Sequence, residues 1–323
     1  MGVFPKNKNY AIMIKMKVNL RKLGIFLALT TVLLLGVVLL AFSYIDVGLT
    51  GLADGEASQV AMAGFGEVPE SVVEDAAATA MELYGDYQDK YEEYINQLLA
   101  TYVEAKDRDF VVIFNPGGWG TKILGKSPTW CEICQGIETE LDGLGYSSLV
   151  LDYRRTAESM RGITKEFVEL FISYPSKAEN LAGRVEFLTR NVPHLKIIVA
   201  GESCGAVISD TVMNRLQENP RVYSIQTGPP FWHKQLTPER TLVLNTNGEI
   251  PDAFSQGDIP AMLITSLKAL FGFPLTEEEE VGRIFYFVRA PGHDYRWQHP
   301  GVYLKITDFL KQNFSLDEHI QIK

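Results

Sequence analysis

Residues 201–205 read Gly-Glu-Ser-Cys-Gly, between an apolar β-branched stretch, LKIIVA (195–200), and a helix-like pattern that opens at Gly205. A serine hydroxyl is a weak nucleophile at its ordinary pKa. Covalent chemistry at Ser203 therefore needs a base within hydrogen-bond reach and a third group that holds the base in the right tautomer. Five histidines are available for the base: His194, His233, His293, His299 and His319. A Gly-x-Ser-x-Gly match alone is weak, and its context raises it. A sharp strand-to-helix turn lifts the hydroxyl above a sheet edge, and glycines permit the crowding that such a turn imposes. The following helix then aims its N-terminus and the Cys204 N–H at the reacting atom, favouring negative charge there.

Such a turn requires a sheet behind it. From Asp109 onward short β-rich runs alternate with helical ones, the pattern of a parallel sheet covered by helices. Strands are predicted at 110–114, 147–152, 196–200, 222–226, 241–245 and 283–288. Helices are predicted from Ser127-Pro128 to about 143, around 164–173, 177–190, 205–218 and 260–271, and from about Pro300 to Asn313. The apolar helix at 260–271 reads either as a core helix or as one that covers a pocket or dips into a membrane surface.

Ahead of the sheet, residues 69–107 form one amphipathic helical stretch. Val73, Ala77, Ala80, Tyr84, Tyr87, Tyr91, Tyr94, Leu98 and Thr101 recur at spacings of three and four along one face. Two readings stay open for this stripe: a stalk through which two copies self-associate, or a helix lying on its own domain. Four tyrosines in place of Leu or Ile favour the second.

The chain of 323 residues has 46% hydrophobic and 22% charged residues, as a packed globular protein does. Its 40 Asp+Glu against 30 Lys+Arg argue against a nucleic-acid partner, because neutralising phosphates requires a basic face. Residues 23–45, LGIFLALTTVLLLGVVLLAFSYI, are uncharged and long enough to span the hydrocarbon of a bilayer. Lys6, Lys8, Lys15, Lys17, Arg21 and Lys22 make residues 1–22 a basic tail, while Asp46, Asp54 and Glu56 follow the apolar run. The positive-inside rule then predicts a single-pass signal anchor in the cell membrane, N-terminus cytoplasmic and the rest extracytoplasmic. A signal peptide cleaved near Ala41-Phe42-Ser43 is the rival reading, against which the apolar core is long. Residues 46–68, rich in Gly and Ala, read as a flexible linker.

Four further stretches, in order, carry a family resemblance: VVIFNPGGWG (111–120), LGYSSLVLDYRRT (144–156), the GESCG turn, and APGHDYRWQHPGVYLKITDFL (290–310). From about residue 109 to 314 the chain resembles the α/β-hydrolase superfamily. That resemblance implies a domain over 108–323 with a mostly parallel sheet of about six strands flanked by helices. It lacks the antiparallel strands that usually start the fold. It also implies a serine hydrolase of the esterase or lipase type, acting on a small-molecule or lipid-like acyl substrate without a cofactor or metal.

Residue by residue, the resemblance assigns Ser203 as nucleophile and His293 in PGHDY as base. The acid is expected in the loop after strand 241–245, where Asp252 matches the family spacing. Glu249 is the second candidate, and Asp258 reads as a helix cap. Backbone N–H groups of Gly117 or Gly118 and of Cys204 correspond to the oxyanion hole, although Asn115-Pro116 stand where His-Gly is usual and Pro116 has no N–H to offer. Two other functions remain in view. One is a non-catalytic domain of this fold that binds a partner at the membrane. The other is thiol–disulfide exchange through Cys131 and Cys134 in TWCEIC, a pair that lacks the partners for a zinc site.

Overall fold

A strand covered on both faces needs no polar alternation, and FVVIFN follows that rule: all six residues of β1 (Phe110–Asn115) are buried. The computed structural model describes residues 68–315 except 86, 119, 121–123, 154, 156–165, 167–168, 170–172, 237–238, 277–278, 280–281 and 286–287. The expected anchor at 23–45 with its basic tail, the linker up to residue 67, most of the helix expected at 164–173, and His319 lie outside the described residues. Among the described residues no helix is long and apolar enough to cross a membrane.

β1 lies between β2 and the central strand β3 in a five-stranded parallel sheet of order β2-β1-β3-β4-β5, with β2 at Ser148–Asp152, β3 at Lys196–Glu202, β4 at Val222–Thr227 and β5 at Thr241–Leu244. Register along β1 pairs Phe114 with Asp152 on one side and Asn115 with Gly201 on the other. Val111 and Ile113 join one apolar cluster with α1 (Glu70–Tyr84), α2 (Gln88–Ala105), α4 (Pro175–Asn191) and α5 (Cys204–Arg215). Phe110, Val112 and Phe114 join another with α3 (Pro128–Gly143) and α8 (Pro300–Phe314), where Trp130, Ile137, Ile306 and Leu310 are fully buried. The result is an α/β fold with helices on both faces. Because β2 and β3 leave β1 in opposite directions, the strand order reverses there, opening a crevice at the carboxyl ends of β1 and β3.

Two elements differ from the sequence expectation. The stretch 283–288 is not a sixth parallel strand but part of an antiparallel pair, β6 (Arg283–Phe285) with β7 (Val288–Arg289). Bonds at its flanks hold this pair in place: Ala290 N donates to Gly282 O at 3.0 Å and Arg289 N to Ser266 Oγ at 2.9 Å.

The stretch 69–107 forms two helices, because the chain leaves helical geometry at Tyr87 (φ −126°, ψ 86°). Tyr84 and Tyr94 meet edge to face at 5.1 Å. The Tyr94 hydroxyl donates to Asn180 O, and Asn180 Nδ2 donates to the Tyr84 oxygen, both at 2.8 Å. Tyr84 and Tyr94 of the stripe are therefore spent on the chain's own α4, and Ala80 and Leu98 are buried with them, while Val73 and Tyr87 stay exposed. Half of the face expected to pair two copies is thus used within one chain, and self-association through residues 73–101 gains no support.

Candidate active site

β3 ends at Glu202, α5 begins at Cys204, and Ser203 alone makes the turn at φ 52°, ψ −115°. A non-glycine residue in that region costs on the order of 1–3 kcal/mol and persists only where its surroundings over-determine it. They do so here. Ser203 N donates to Thr227 O on β4 at 2.8 Å. A Cβ at Gly201 would lie 2.6 Å from Ser209 Oγ and 2.7 Å from Ala206 Cα, and one at Gly205 would collide with the Asn115 carbonyl. Both motif glycines are thus required by close approach. Ser203 is 4% exposed.

Asp252 and His293, 41 residues apart, meet in a hydrogen bond of 2.8 Å between Oδ2 and Nδ1. Asp252 follows β5 and caps α6 (Ala253–Gln256), its Oδ1 accepting from Phe254 N and Ser255 N. Its Oδ2 also accepts from Ser255 Oγ at 2.9 Å and Tyr295 Oη at 2.7 Å. Full burial by itself would raise this carboxyl, but the bonds from His293, Tyr295 and Ser255 outweigh it and hold the pKa below the ordinary carboxylate value. An ionised carboxylate only accepts, so Nδ1 of His293 carries the proton and Nε2 is left as the basic nitrogen. Burial, followed by the Asp252 charge, drives the Tyr295 phenol far upward, so it stays a donor. The His293 ring packs edge to face on Phe254 at 5.1 Å, and a Cβ at Gly228 (φ 59°) would come within 2.5 Å of its Cε1.

Among the described residues no hydrogen bond joins Ser203 Oγ to His293. Glu249 is exposed, and Asp258 caps α7 (Ile259–Leu270) through Ala261 N at 3.0 Å. His194 is exposed, and His299 is the N-terminal cap residue of α8. His233 forms a second His–Asp pair that the sequence reading missed: its Nε2 is 2.9 Å from Oδ2 of Asp210 on α5, which also accepts from Leu236 N. This pair ties the 228–236 loop to α5.

The loop after β1 is organised by a residue that sequence reading also passed over. Arg155, fully buried, donates to Glu166 Oε1 at 2.7 Å, to Asn115 Oδ1 at 3.2 Å, to Gly118 O at 3.0 Å and to the Pro116 carbonyl. Its own N–H donates to Gly120 O. In a trans peptide N–H and C=O point oppositely, so holding the Pro116 carbonyl turns the Gly117 N–H away from Arg155. That N–H meets the Glu202 carboxylate at 3.0 Å and is engaged in this state. Gly118 (φ 58°) and Cys204, first residue of α5, complete the expected donor set. Asn115 Nδ2, buried beside the turn, has no hydrogen-bond partner.

All three cysteines are free thiols. Burial drives the Cys134 thiol well up, with the nearby Glu138 and Asp152 charges adding to it, opposite to what an exchange thiol needs. No cluster of His, Cys, Asp or Glu able to hold a metal occurs among the described residues.

Solved structures that resemble this chain include two cutinase-type proteins. One is a Trichoderma reesei cutinase in complex with a C11Y4 phosphonate inhibitor, at 12% identity over 60% of this chain and 88% of that one, TM-score 0.30. The other is a novel cutinase-like protein from Cryptococcus sp., at 12% identity over 64% and 95%, TM-score 0.35. No protein-family model and no curated protein matches the sequence.

Proposed function

We propose that this chain is a serine hydrolase that cleaves a carboxylic ester or similar acyl substrate through an acyl-enzyme, held at the outer face of a membrane by residues 23–45. The observation that carries the reading is a serine at positive φ between β3 and α5 whose N–H is bonded to Thr227 O, with the next residue, Gly228, abutting His293 of the Asp252–His293 pair. In the first step Ser203 Oγ attacks the acyl carbonyl while His293 Nε2 takes its proton. Asp252 stabilises the imidazolium, which then protonates the leaving alcohol, and water releases the acyl group by the reverse path. Cys204 N–H supplies one oxyanion donor. Gly118 supplies a second, or Gly117 does once the Glu202 carboxylate gives way. Closing the Ser203–His293 bond is left to substrate binding, since such bonds tighten in the Michaelis complex.

A second reading, a non-catalytic binding domain of this fold, is favoured by the open Ser203–His293 contact and the engaged Gly117 N–H. Fluorophosphonate labelling of the detergent-solubilised full chain decides between them. Labelling that disappears in Ser203→Ala, with turnover across a panel of ester chain lengths, supports the hydrolase. Equal labelling of parent and variant, with no turnover, supports the binding domain.

A further inference from the structure

The helix that sequence reading left open between core and membrane is not a core helix. Met262 and Thr265 are the buried residues of α7. Its Ile259, Leu263, Ile264 and Leu267, with Leu270 and the following Phe271, are each 43–70% exposed. Spacings of three and four place 259, 263, 267 and 270 along one face, where a surface helix ordinarily carries charge. The helix's one charge, Lys268, is tied to Glu279 at 2.7 Å.

The apolar surface continues toward the proposed active site. Phe231 and Trp232, 44% and 49% exposed, meet edge to face at 5.0 Å. The Phe231 ring lies 3.1 Å from a Cβ position at Gly257, just before α7. Trp232 packs on Phe254 at 5.3 Å, and Phe254 packs on His293. A contiguous apolar patch of this kind marks an interaction surface.

We propose that α7 and the Phe231–Trp232 tip dock on the surface of a phospholipid bilayer and turn the His293 side of the domain toward it. The inference deepens the proposed function by naming where the acyl substrate is met, and it rests on residues 23–45 being an anchor. Three observations select a bilayer as occupant. The chain ahead of the described residues contains that uncharged apolar run, followed by 22 residues up to position 67. A stretch of that many residues, if flexible as its Gly- and Ala-rich composition predicts, has a reach of about 25 Å root-mean-square, which would keep the patch near an anchored membrane so that weak docking suffices. The tip offers Trp and Phe, the side chains that settle at a membrane interface. The helix rests on the domain through Met262 and Thr265 as its buried residues and leaves its apolar face outward, where lipid tails can cover it. Attraction is apolar rather than electrostatic, because the formal net charge is −10 and the patch's lysine is paired.

The test uses the full chain carrying Cys131→Ser, Ser203→Ala and Phe271→Cys. It is labelled at 271 with an environment-sensitive fluorophore and reconstituted in phosphatidylcholine vesicles containing spin-labelled lipid. A label at Met81→Cys, on exposed α1, is the control. Insertion by about 5–10 Å predicts quenching at 271 by about half or more from shallow spin labels, less from mid-bilayer ones, and little at 81. Leu263→Glu with Leu267→Glu removes the quenching, and adding phosphatidylglycerol does not increase it. Quenching no greater at 271 than at 81 overturns the proposal. So does a blue shift without lipid quenching, which marks a second copy if it grows with protein density and coverage by residues 23–45 if it does not. Since every variant lacks Ser203, docking is read independently of hydrolysis. Failed fluorophosphonate labelling of the parent would sink the hydrolase reading and leave this measurement standing.

Discussion

Replacing Tyr295 by phenylalanine removes one oxygen and leaves the ring that packs beside His293. The lost group donates at 2.7 Å to Oδ2 of Asp252, which keeps His293 Nδ1 and Ser255 Oγ as donors there and two backbone N–H groups on Oδ1. A hydrogen bond to a charged group contributes about 1.5–3 kcal/mol, so Tyr295→Phe is expected to lose that much stability at neutral pH. The Asp252 pKa moves up toward the ordinary carboxylate value. Its folded pKa is depressed, so the stability it contributes is present above the ordinary carboxylate pKa and lost as pH falls through the lower folded value. The gap between parent and variant should therefore be full at pH 7 and shrink in acid.

On activity, Tyr295 acts only through Asp252 and is a positioning residue. Because the charge and the His293 bond survive, kcat/KM should fall by roughly tenfold or less, where Asp252→Asn costs about 10⁴ in kcat by leaving the wrong tautomer. Thermal unfolding of the solubilised full chain from pH 7 to 3, with ester hydrolysis measured alongside, checks both. A stability gap independent of pH, or an activity loss equal to that of Asp252→Asn, would refute the reasoning.

Gly228→Ala puts a methyl within 2.5 Å of His293 Cε1 at a φ of 59°, so it should displace the base. Ester turnover is expected to fall at least about a hundredfold, the low end of a general-base contribution, measured as kcat against KM. Gly205→Ala drives its methyl into the Asn115 carbonyl, a backbone group that cannot rotate aside. Overpacking there should cost about 1–3 kcal/mol in thermal unfolding and abolish fluorophosphonate labelling. Arg155→Met removes the buried guanidinium that pairs with Glu166, for a loss of about 3–5 kcal/mol. Arg155→Lys should rescue part of the stability but not turnover, since one ammonium cannot span the Pro116 and Gly118 carbonyls together.

The local code of this chain determined a good deal unaided. Continuous apolar runs at 110–114 and 197–200 are strands because a sheet covered on both faces needs no polar alternation, and the structure places β1 and β3 there. The glycines of GESCG announced a crowded strand-to-helix turn, and a short acidic residue ahead of Ile259-Pro260 announced the cap that Asp258 forms. Periodicity also found the tyrosine stripe and the apolar helix at 260–271.

Periodicity says which residues share a face, not what covers it, and there tertiary structure decided. Tyr84 and Tyr94 of the tyrosine stripe were buried against α4 of the same chain, while the apolar face of α7 was left uncovered. The run at 283–288 entered an antiparallel pair, Arg283 with Arg289 and Phe285 with Val288, rather than the parallel sheet, which no local pattern reveals. Arg155 gathering two carbonyls about forty residues away, Glu202 engaging the Gly117 N–H, and the two His–Asp pairs are all long-range. Each depends on where distant segments end in space. A charged or polar side chain in isolation looks like a solvated one until the fold removes its water and supplies partners from distant segments.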